Sequence, residues 1–230
     1  MKLSIVTSIL NSHEIVRRLI LHYQKMELPD SVEIIFMDDG SEPPLEDSTG
    51  TVKIYYTNDT RPWTEHIARN KGAELASGEY LFMVDSDYII PKETIDSVLK
   101  FNGDKMDIKR RFGILNENGE LVYKRKVLRE WGLKEKYLRS RFFKGHRSQF
   151  VIRRKLFSKM GGYIESLSGK AHPLGGGAGQ RFYQKWKRWE SKGRVSTSDE
   201  KAKVFMYPVG KFCADIDYNP FGLFHNLSRL

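Results

Sequence analysis

Four apolar runs, spaced by stretches of helical periodicity, fill the first ninety residues and leave this chain few ways to fold. "LSIVTSI" (3–9) is β-branched and apolar, and "VEIIFM" (32–37), "VKIYY" (52–56) and "YLFMV" (80–84) read as three further strands. After the first run, Ile15, Val16, Leu19, Ile20, Tyr23 and Met26 recur at helical spacing, and Pro29 closes that helix. A second helix is expected from about residue 62, with Thr60 as its cap and Gly78 as its stop. Continuous apolar strands separated by helices predict a mostly parallel sheet covered on both faces. Ligands of such sheets bind beyond the carboxyl ends of the strands. Asp38 and Asp39 follow the second run, and Asp85 and Asp87 follow the fourth, so four carboxylates are expected in one crevice.

The pattern loosens after Pro91. A short helix (92–101) is followed by a hairpin turning at 116–119, a basic helix over 133–145, and a strand, helix and glycine stop across 148–163. Residues 166–179 read as a glycine-rich loop. In the next helix Phe182, Trp186 and Trp189 share one face, the spacing of core packing, whereas Trp63 is a candidate for stacking on a sugar ring. A late strand near 203–207 leads into an aromatic tail. The length, 230 residues, fits one large domain or one domain with an appendage.

Charge narrows the partners. Lys and Arg number 39 against 29 Asp and Glu, a formal net charge of +10, which favours an anionic partner. Basic groups near 109–111, 124–126, 139–144 and 153–155 offer themselves to an acidic acceptor or a membrane surface. No helix-turn-helix, zinc-finger, RRM or KH signature is present, so nucleic acid is not expected. Cys213 is the only cysteine, which excludes an internal disulfide and a multi-cysteine zinc site. The opening residues lack the length for a membrane span and a small-residue cleavage site. A soluble, cytoplasmic protein is expected, with peripheral membrane contact left open.

Alternate carboxylates at a strand end suit a hard divalent cation such as Mn²⁺ or Mg²⁺, which takes oxygen ligands and shares its shell with phosphate. The stretches "SIVTSILNSHE", "EIIFMDDGS" and "ARNKGAELASGEYLFMVDSD" together resemble the nucleotide-sugar half of GT-A glycosyltransferases, family 2 above all. "RSQFVIRRKLFSKMGGYIES" resembles that family's segment ending in Gly-Gly-Phe-Asp-Glu, with Tyr163 and Glu165 at the aromatic and acidic places. The resemblance implies a GT-A fold, a Rossmann-like mostly parallel sheet flanked by helices. Residues 1–100 would form the nucleotide-sugar-binding half, and 101–230 a smaller acceptor-binding and C-terminal part of the same domain. It implies transfer of a sugar from a nucleoside diphosphate, uridine above all, to a hydroxyl acceptor such as a glycan.

Residue by residue, the resemblance places Ser8, Asn11, Asp38, Asp39, Arg69 and Asp85 around the nucleotide. Asp38 would bond the base or ribose, and Arg69 would add a charged donor. Asp85 and Asp87 would hold the metal, with His225 of the tail as a third ligand. His172, in the glycine loop, is a candidate for touching acceptor or phosphate; His13, His22, His66 and His146 carry no matching signal.

The chain also departs from the family. Serine stands at Ser8 where proline is common, a minor change. More seriously, the Glu-Asp-x-Asp run that supplies the acceptor-activating base is replaced by Ala178, Gly179, Gln180 and Arg181. Three readings follow. Glu165, Asp215 or Asp217 supplies the base; or the protein binds nucleotide-sugar or glycan without catalysis; or the reaction retains configuration and needs no separate base, with Gln180 and Arg181 orienting the acceptor. The sequence alone favours retention, because the metal and diphosphate site are the parts it still shows.

Overall fold

The computed structural model describes residues 1–59, 61, 64–139, 141–167 and 177–215. Asp217 and His225 lie outside the described residues, as do His172, Trp63, Thr60 and Pro62.

The four apolar runs form β1 (Leu3–Ile9), β2 (Val32–Asp38), β3 (Lys53–Tyr56) and β4 (Tyr80–Asp85), with α1 (His13–Gln24) and α2 (Glu65–Leu75) between them. All four are parallel, in the order β3-β2-β1-β4. Next come β5 (Tyr88–Ile89), α3 (Lys92–Lys100), β6 (Lys105–Phe112) and the hairpin β7 (Ile114–Leu115) and β8 (Leu121–Val122). Then follow α4 (Arg125–Glu130), α5 (Glu135–Leu138), β9 (Phe143–Lys144), β10 (Phe150–Arg153), α6 (Arg154–Lys159), α7 (Ala178–Glu190) and β11 (Thr197–Met206). One sheet runs through both halves of the chain, β3-β2-β1-β4-β10-β6-β11-β5, with β9 paired to β6. It is the mostly parallel, helix-flanked sheet expected from sequence, with β10 antiparallel at the junction.

Apolar side chains pack on both faces. One layer takes Ile15, Leu19 and Tyr23 of α1 with Ile95 and Val98 of α3. The other takes Ala68 and Ala73 of α2, Phe157 of α6, and Phe182 and Trp186 of α7. Gly72 lets α2 lie close on the sheet: a Cβ there would sit 2.5 Å from Val6 Cγ1 and 3.0 Å from Met37 Cγ. Trp186 is fully buried, as its spacing predicts, and its indole N–H donates to Thr197 Oγ1 at 2.8 Å.

Three sequence readings change. α2 begins at Glu65 behind Thr64, later than residue 62. The basic stretch 133–145 is a helix only over Glu135–Leu138, after which β9 pairs with β6. Phe142 and Phe143 explain the change, packing on Phe205 and Phe112, so tertiary contacts outweigh helix propensity. β6 went unread because lysine and arginine interrupt "KMDIKRRF", although Met106, Ile108 and Phe112 alternate on its inner face. Among the described residues, no helix is long and apolar enough to cross a membrane.

Candidate active site

The sheet register brings the acidic strand ends together. Ile9 pairs with Asp38 and Ser8 with Asp85, so the two carboxylates flank the end of β1. Asp38 is buried, and each of its oxygens accepts a loop N–H, from Ser41 at 2.8 Å and Leu45 at 2.9 Å. Asn11, with φ of 47°, completes that loop: its Oδ1 accepts the Glu42 N–H at 2.8 Å, and its own N–H donates to Ser41 Oγ at 2.9 Å. Asp39 accepts hydroxyl protons from Thr57 (2.9 Å) and Thr64 (2.7 Å), tying the ends of β2 and β3 to the start of α2.

Asp85 is held from two sides. Arg69 Nη2 donates to its Oδ1 and Gln149 Nε2 to its Oδ2. Two residues on, Asp87 is 5% exposed, and its backbone carbonyl accepts the Tyr207 N–H at 2.9 Å. Burial pushes its carboxyl up to about 7, against the pull of Arg110 and Arg69. Arg110, from β6, donates to the Tyr88 hydroxyl at 2.6 Å and lies 5.1 Å over the Phe143 ring. Burial, with Arg69 and Arg110 nearby, lowers the pKa of His146, whose Nδ1 lies 2.6 Å from Ser148 Oγ.

Among the described residues, four buried side-chain polar atoms lack a partner: Arg69 Nε, Asp87 Oδ1, Arg110 Nε and Gln149 Oε1. All four residues belong to this one constellation, since Arg69 and Gln149 grip Asp85 while Arg69 and Arg110 act on Asp87. Buried polar groups are satisfied in folded proteins with few exceptions, and exceptions mark strain or a missing ion or ligand. Two donors and two acceptors without partners fit a cation bound together with an anion. Hard oxygen ligands from Asp85 and Asp87 suit Mn²⁺ or Mg²⁺, and the guanidinium groups suit phosphate. Among the described residues, no third His, Cys, Asp or Glu joins these aspartates in a metal-binding group.

The remaining candidates fall around this centre. Asn70, next to Arg69 on α2, grips the Gly-Gly-Tyr segment: its amide donates to the Tyr163 carbonyl and to Glu165 Oε1, both at 2.9 Å. Its Oδ1 accepts the Tyr163 N–H at 2.9 Å. Gly162 (φ 57°) permits this clamp, because a Cβ would lie 2.6 Å from Asn70 Oδ1. Glu165 is thus exposed yet anchored one helix position from Arg69. Gln180 Oε1 accepts Arg147 Nη1 at 2.7 Å, joining the start of α7 to the segment that carries His146 and Gln149. Arg181 points to solvent. Asp215 is exposed two residues past Cys213, which bridges to Leu133, at the far end of a segment whose Phe212 packs near Arg110.

Arg110, Gln149 and His146 were missed from sequence. Arg110 sits in the unread strand, and Gln149 lies inside a resembling segment whose polar residues carried no motif of their own. Asn70 stood in plain view as the third residue of Ala-Arg-Asn-x-Gly.

The family model described as glycosyl transferase family 2 matches residues 4–163. The chain belongs to that family. From Ser4 onward, the matched span includes the four parallel strands, Asp85, Asp87 and Asn70. One curated relative, "Putative glycosyltransferase EpsH" of Bacillus subtilis (strain 168), is 29% identical over 112 residues, covering 46% of this chain and 31% of the relative. Among solved structures, TarS of S. aureus matches with a TM-score of 0.57 at 19% identity over 90% of this chain and 37% of that one. A TarS 1–349 complex with UDP-GlcNAc matches at 0.56 and 17%, over 90% and 58% of the two chains. The mannosyltransferase PcManGT of Pyrobaculum calidifontis, solved with GDP-Man and Mn²⁺, matches at 0.56 and 11%, over 91% and 58%. At these identities the structures speak for the GT-A fold alone, and the chain spans about a third of the length of its curated relative.

Proposed function

We propose that the chain transfers a sugar from a nucleoside diphosphate sugar to a hydroxyl acceptor at the crevice lined by Asp85, Asp87, Arg69 and Arg110. The observation that carries this reading is the cluster of four unpartnered buried polar atoms at the acidic strand end. Solvated loop carboxylates would show no such cluster.

Asp85 and Asp87 would hold Mn²⁺ or Mg²⁺, which supplies Lewis-acid neutralisation of the charge growing on the leaving diphosphate. The chain's own share is electrostatic and positional. Arg69 and Arg110 each keep one N–H without an acceptor, suited to phosphate oxygens. Asp38 and Asn11 shape the loop after β2 and so act on the nucleotide through backbone, with Asp39 bracing its far side. Similar folds carry uridine- and guanosine-linked donors, and the donor proposed here is uridine-linked, as the motif resemblance implies.

The acceptor's proton needs a destination. Glu165 is supported as the base by its anchoring to Asn70, beside Arg69, because a carboxylate fixed by an amide keeps its orientation. This favours inversion over the retention that sequence alone suggests. The test is turnover of a nucleotide-sugar panel with Mn²⁺, followed by early NMR of the product's anomeric proton. Inverted product, and a loss of about 10²–10⁴-fold in kcat for Glu165→Gln, are expected. Retained product sinks the role of Glu165. Binding without turnover or slow donor hydrolysis supports the non-catalytic alternative.

A further inference from the structure

The positive charge of this chain is concentrated. Residues 109–144 hold twelve Lys or Arg and four acids, which is eight of the net ten positive charges in about a sixth of the sequence. Within that stretch, Arg111, Arg125, Arg139 and Arg141 line an open cleft of about 370 Å³, floored by Leu138 and Phe142. Three separate elements supply them: β6, the start of α4, and the segment between α5 and β9.

Among the described residues, none of these four guanidinium groups has an ion-pair or hydrogen-bond partner. Glu135, four residues before Arg139, is bonded by Arg129 at 2.6 Å and feels the charge of Arg139 without a direct ion pair. Arg111 is fixed by stacking 5.2 Å over the Tyr123 ring, which itself stacks on Phe205 at 5.1 Å. Four like charges converging on a concavity repel one another, and a bound anion would relieve that repulsion. Planar guanidinium forks match tetrahedral oxyanions, and phosphate above all. A solvated basic surface would spread its charge over convex ground and interleave acids.

The cleft is separate from the donor crevice yet close to it. Arg110 and Arg111 are consecutive on β6, so their side chains leave opposite faces of the strand. Arg110 lies beside Tyr88 and Asp87, and Arg111 enters the cleft. Phe142 and Phe143 repeat the arrangement: Phe142 lines the cleft, while Phe143 underlies the Arg110 guanidinium.

We propose that this arginine cleft binds a phosphate or phosphodiester group, and that it anchors a phosphate-bearing acceptor or carrier next to the donor crevice. The anchoring half of the proposal rests on the glycosyl-transfer reading; the phosphate site does not. A phosphate in the cleft would leave the rest of its molecule free to present a hydroxyl across the β6 wall.

The experiment compares three proteins: the unmodified chain, Arg125→Gln/Arg139→Gln/Arg141→Gln, and a charge-matched control, Lys155→Gln/Lys159→Gln/Lys192→Gln, on exposed residues elsewhere. One arm titrates inorganic phosphate and tripolyphosphate by calorimetry. The other measures co-sedimentation with phosphatidylcholine vesicles with and without phosphatidylglycerol. The cleft variant should lose about tenfold or more in affinity, while the control changes by less than about twofold. Binding to inorganic phosphate or tripolyphosphate alone assigns the site to a soluble phosphate group, and binding only to the phosphatidylglycerol vesicles assigns it to a lipid headgroup. Equal losses in both variants would reduce the effect to diffuse charge and overturn the proposal, as would no binding of either probe. Acceptor-free donor hydrolysis, which the cleft variant should retain, is the independent readout of the glycosyl-transfer reading. Its absence from the unmodified protein would overturn that reading, and with it the anchoring half, while leaving phosphate binding to be judged by the titrations.

Discussion

Asp87 is a costly residue in the isolated fold. Its carboxylate is buried, one oxygen has no partner, and the guanidinium groups of Arg110 and Arg69 only partly compensate its lost hydration. A side chain kept under those terms is kept for what it binds. Replacing it should therefore separate stability from function. Asp87→Asn is expected to leave the metal-free protein as stable as before or more so, with an unchanged or raised Tm, while abolishing Mn²⁺-dependent nucleotide binding. Thermal melts with and without Mn²⁺ and nucleotide make the comparison. A variant that melts lower in the metal-free state, yet still gains stability from the nucleotide, would mark Asp87 as structural. Asp85 differs: Arg69 and Gln149 already satisfy both of its oxygens, so its loss frees two buried donors and should cost about 1–3 kcal/mol of stability as well as binding.

At the scale of elements, one buried glutamate does the joining. Glu33 of β2 accepts from Ser4 Oγ on β1 (2.6 Å), from the N–H and hydroxyl of Ser77 before β4 (both 2.7 Å), and from Lys53 Nζ on β3 (2.7 Å). Burial pushes its carboxyl upward, but the bonds from Lys53, Ser4 and Ser77 outweigh that and hold it at about 2, below the ordinary 4.5. A depressed carboxyl contributes stability that is fully present above its unfolded pKa and is lost as pH falls through the folded one. The window here runs from about 4.5 down to about 2. With the Lys53 ammonium half in solvent, the contribution is about 1–2 kcal/mol. Denaturant titrations at pH 6 and pH 3 should show Glu33→Gln losing less stability on acidification than the parent, by roughly half of that amount or a little more, because pH 3 lies inside the window; parallel losses would remove Glu33 from the acid response. The same elements show what sequence could reveal. β1, β2 and β4 are buried on both faces, so their composition alone betrays them, and the acidic ends of β2 and β4 mark the crevice, whereas β3 is a half-exposed edge strand. β6 carries its signal on alternate residues only, with lysines and arginines between. Arg110 was hidden with it, although its charge acts on Asp87 as that of Arg69 does. Gln149 and Asn70 act through amides, which leave no charge signature to read.

The molecule as a whole is divided by chemistry more than by folding. The acidic strand ends come from the first hundred residues and the basic cleft from the second part, yet β10 inserts between β4 and β6 and makes one sheet of both, and Gln149 and Arg110 of the second part act on Asp85 and Asp87. Phe150 to Arg153 pair with Met83 to Tyr80 on one side, and Phe150 to Ile152 pair with Asp107 to Lys105 on the other. Without β10, the fully buried edge of β4, Leu81 to Met83, would face water and carry unpaired backbone groups. α7 reinforces the junction, since Phe182 stacks on Phe150 at 5.2 Å and Trp186 covers Lys105 of β6 at 5.4 Å. Two parts of a chain that share a central strand should not unfold separately. Calorimetry of the whole chain is expected to give one transition, with the measured enthalpy equal to the van't Hoff enthalpy. Trp186→Ala should lower that single transition, by about 3–5 kcal/mol, rather than split it. Nucleotide with Mn²⁺, proposed to bind between the strand ends of β2 and β4 and Arg110 of β6, should raise the melting of the whole chain as one transition, because ligand binding to the native state stabilises the whole cooperative unit. Two resolved transitions, of which only one responds to nucleotide, would show that the shared strand does not couple the two parts, and would make residues 101–230 a separate domain.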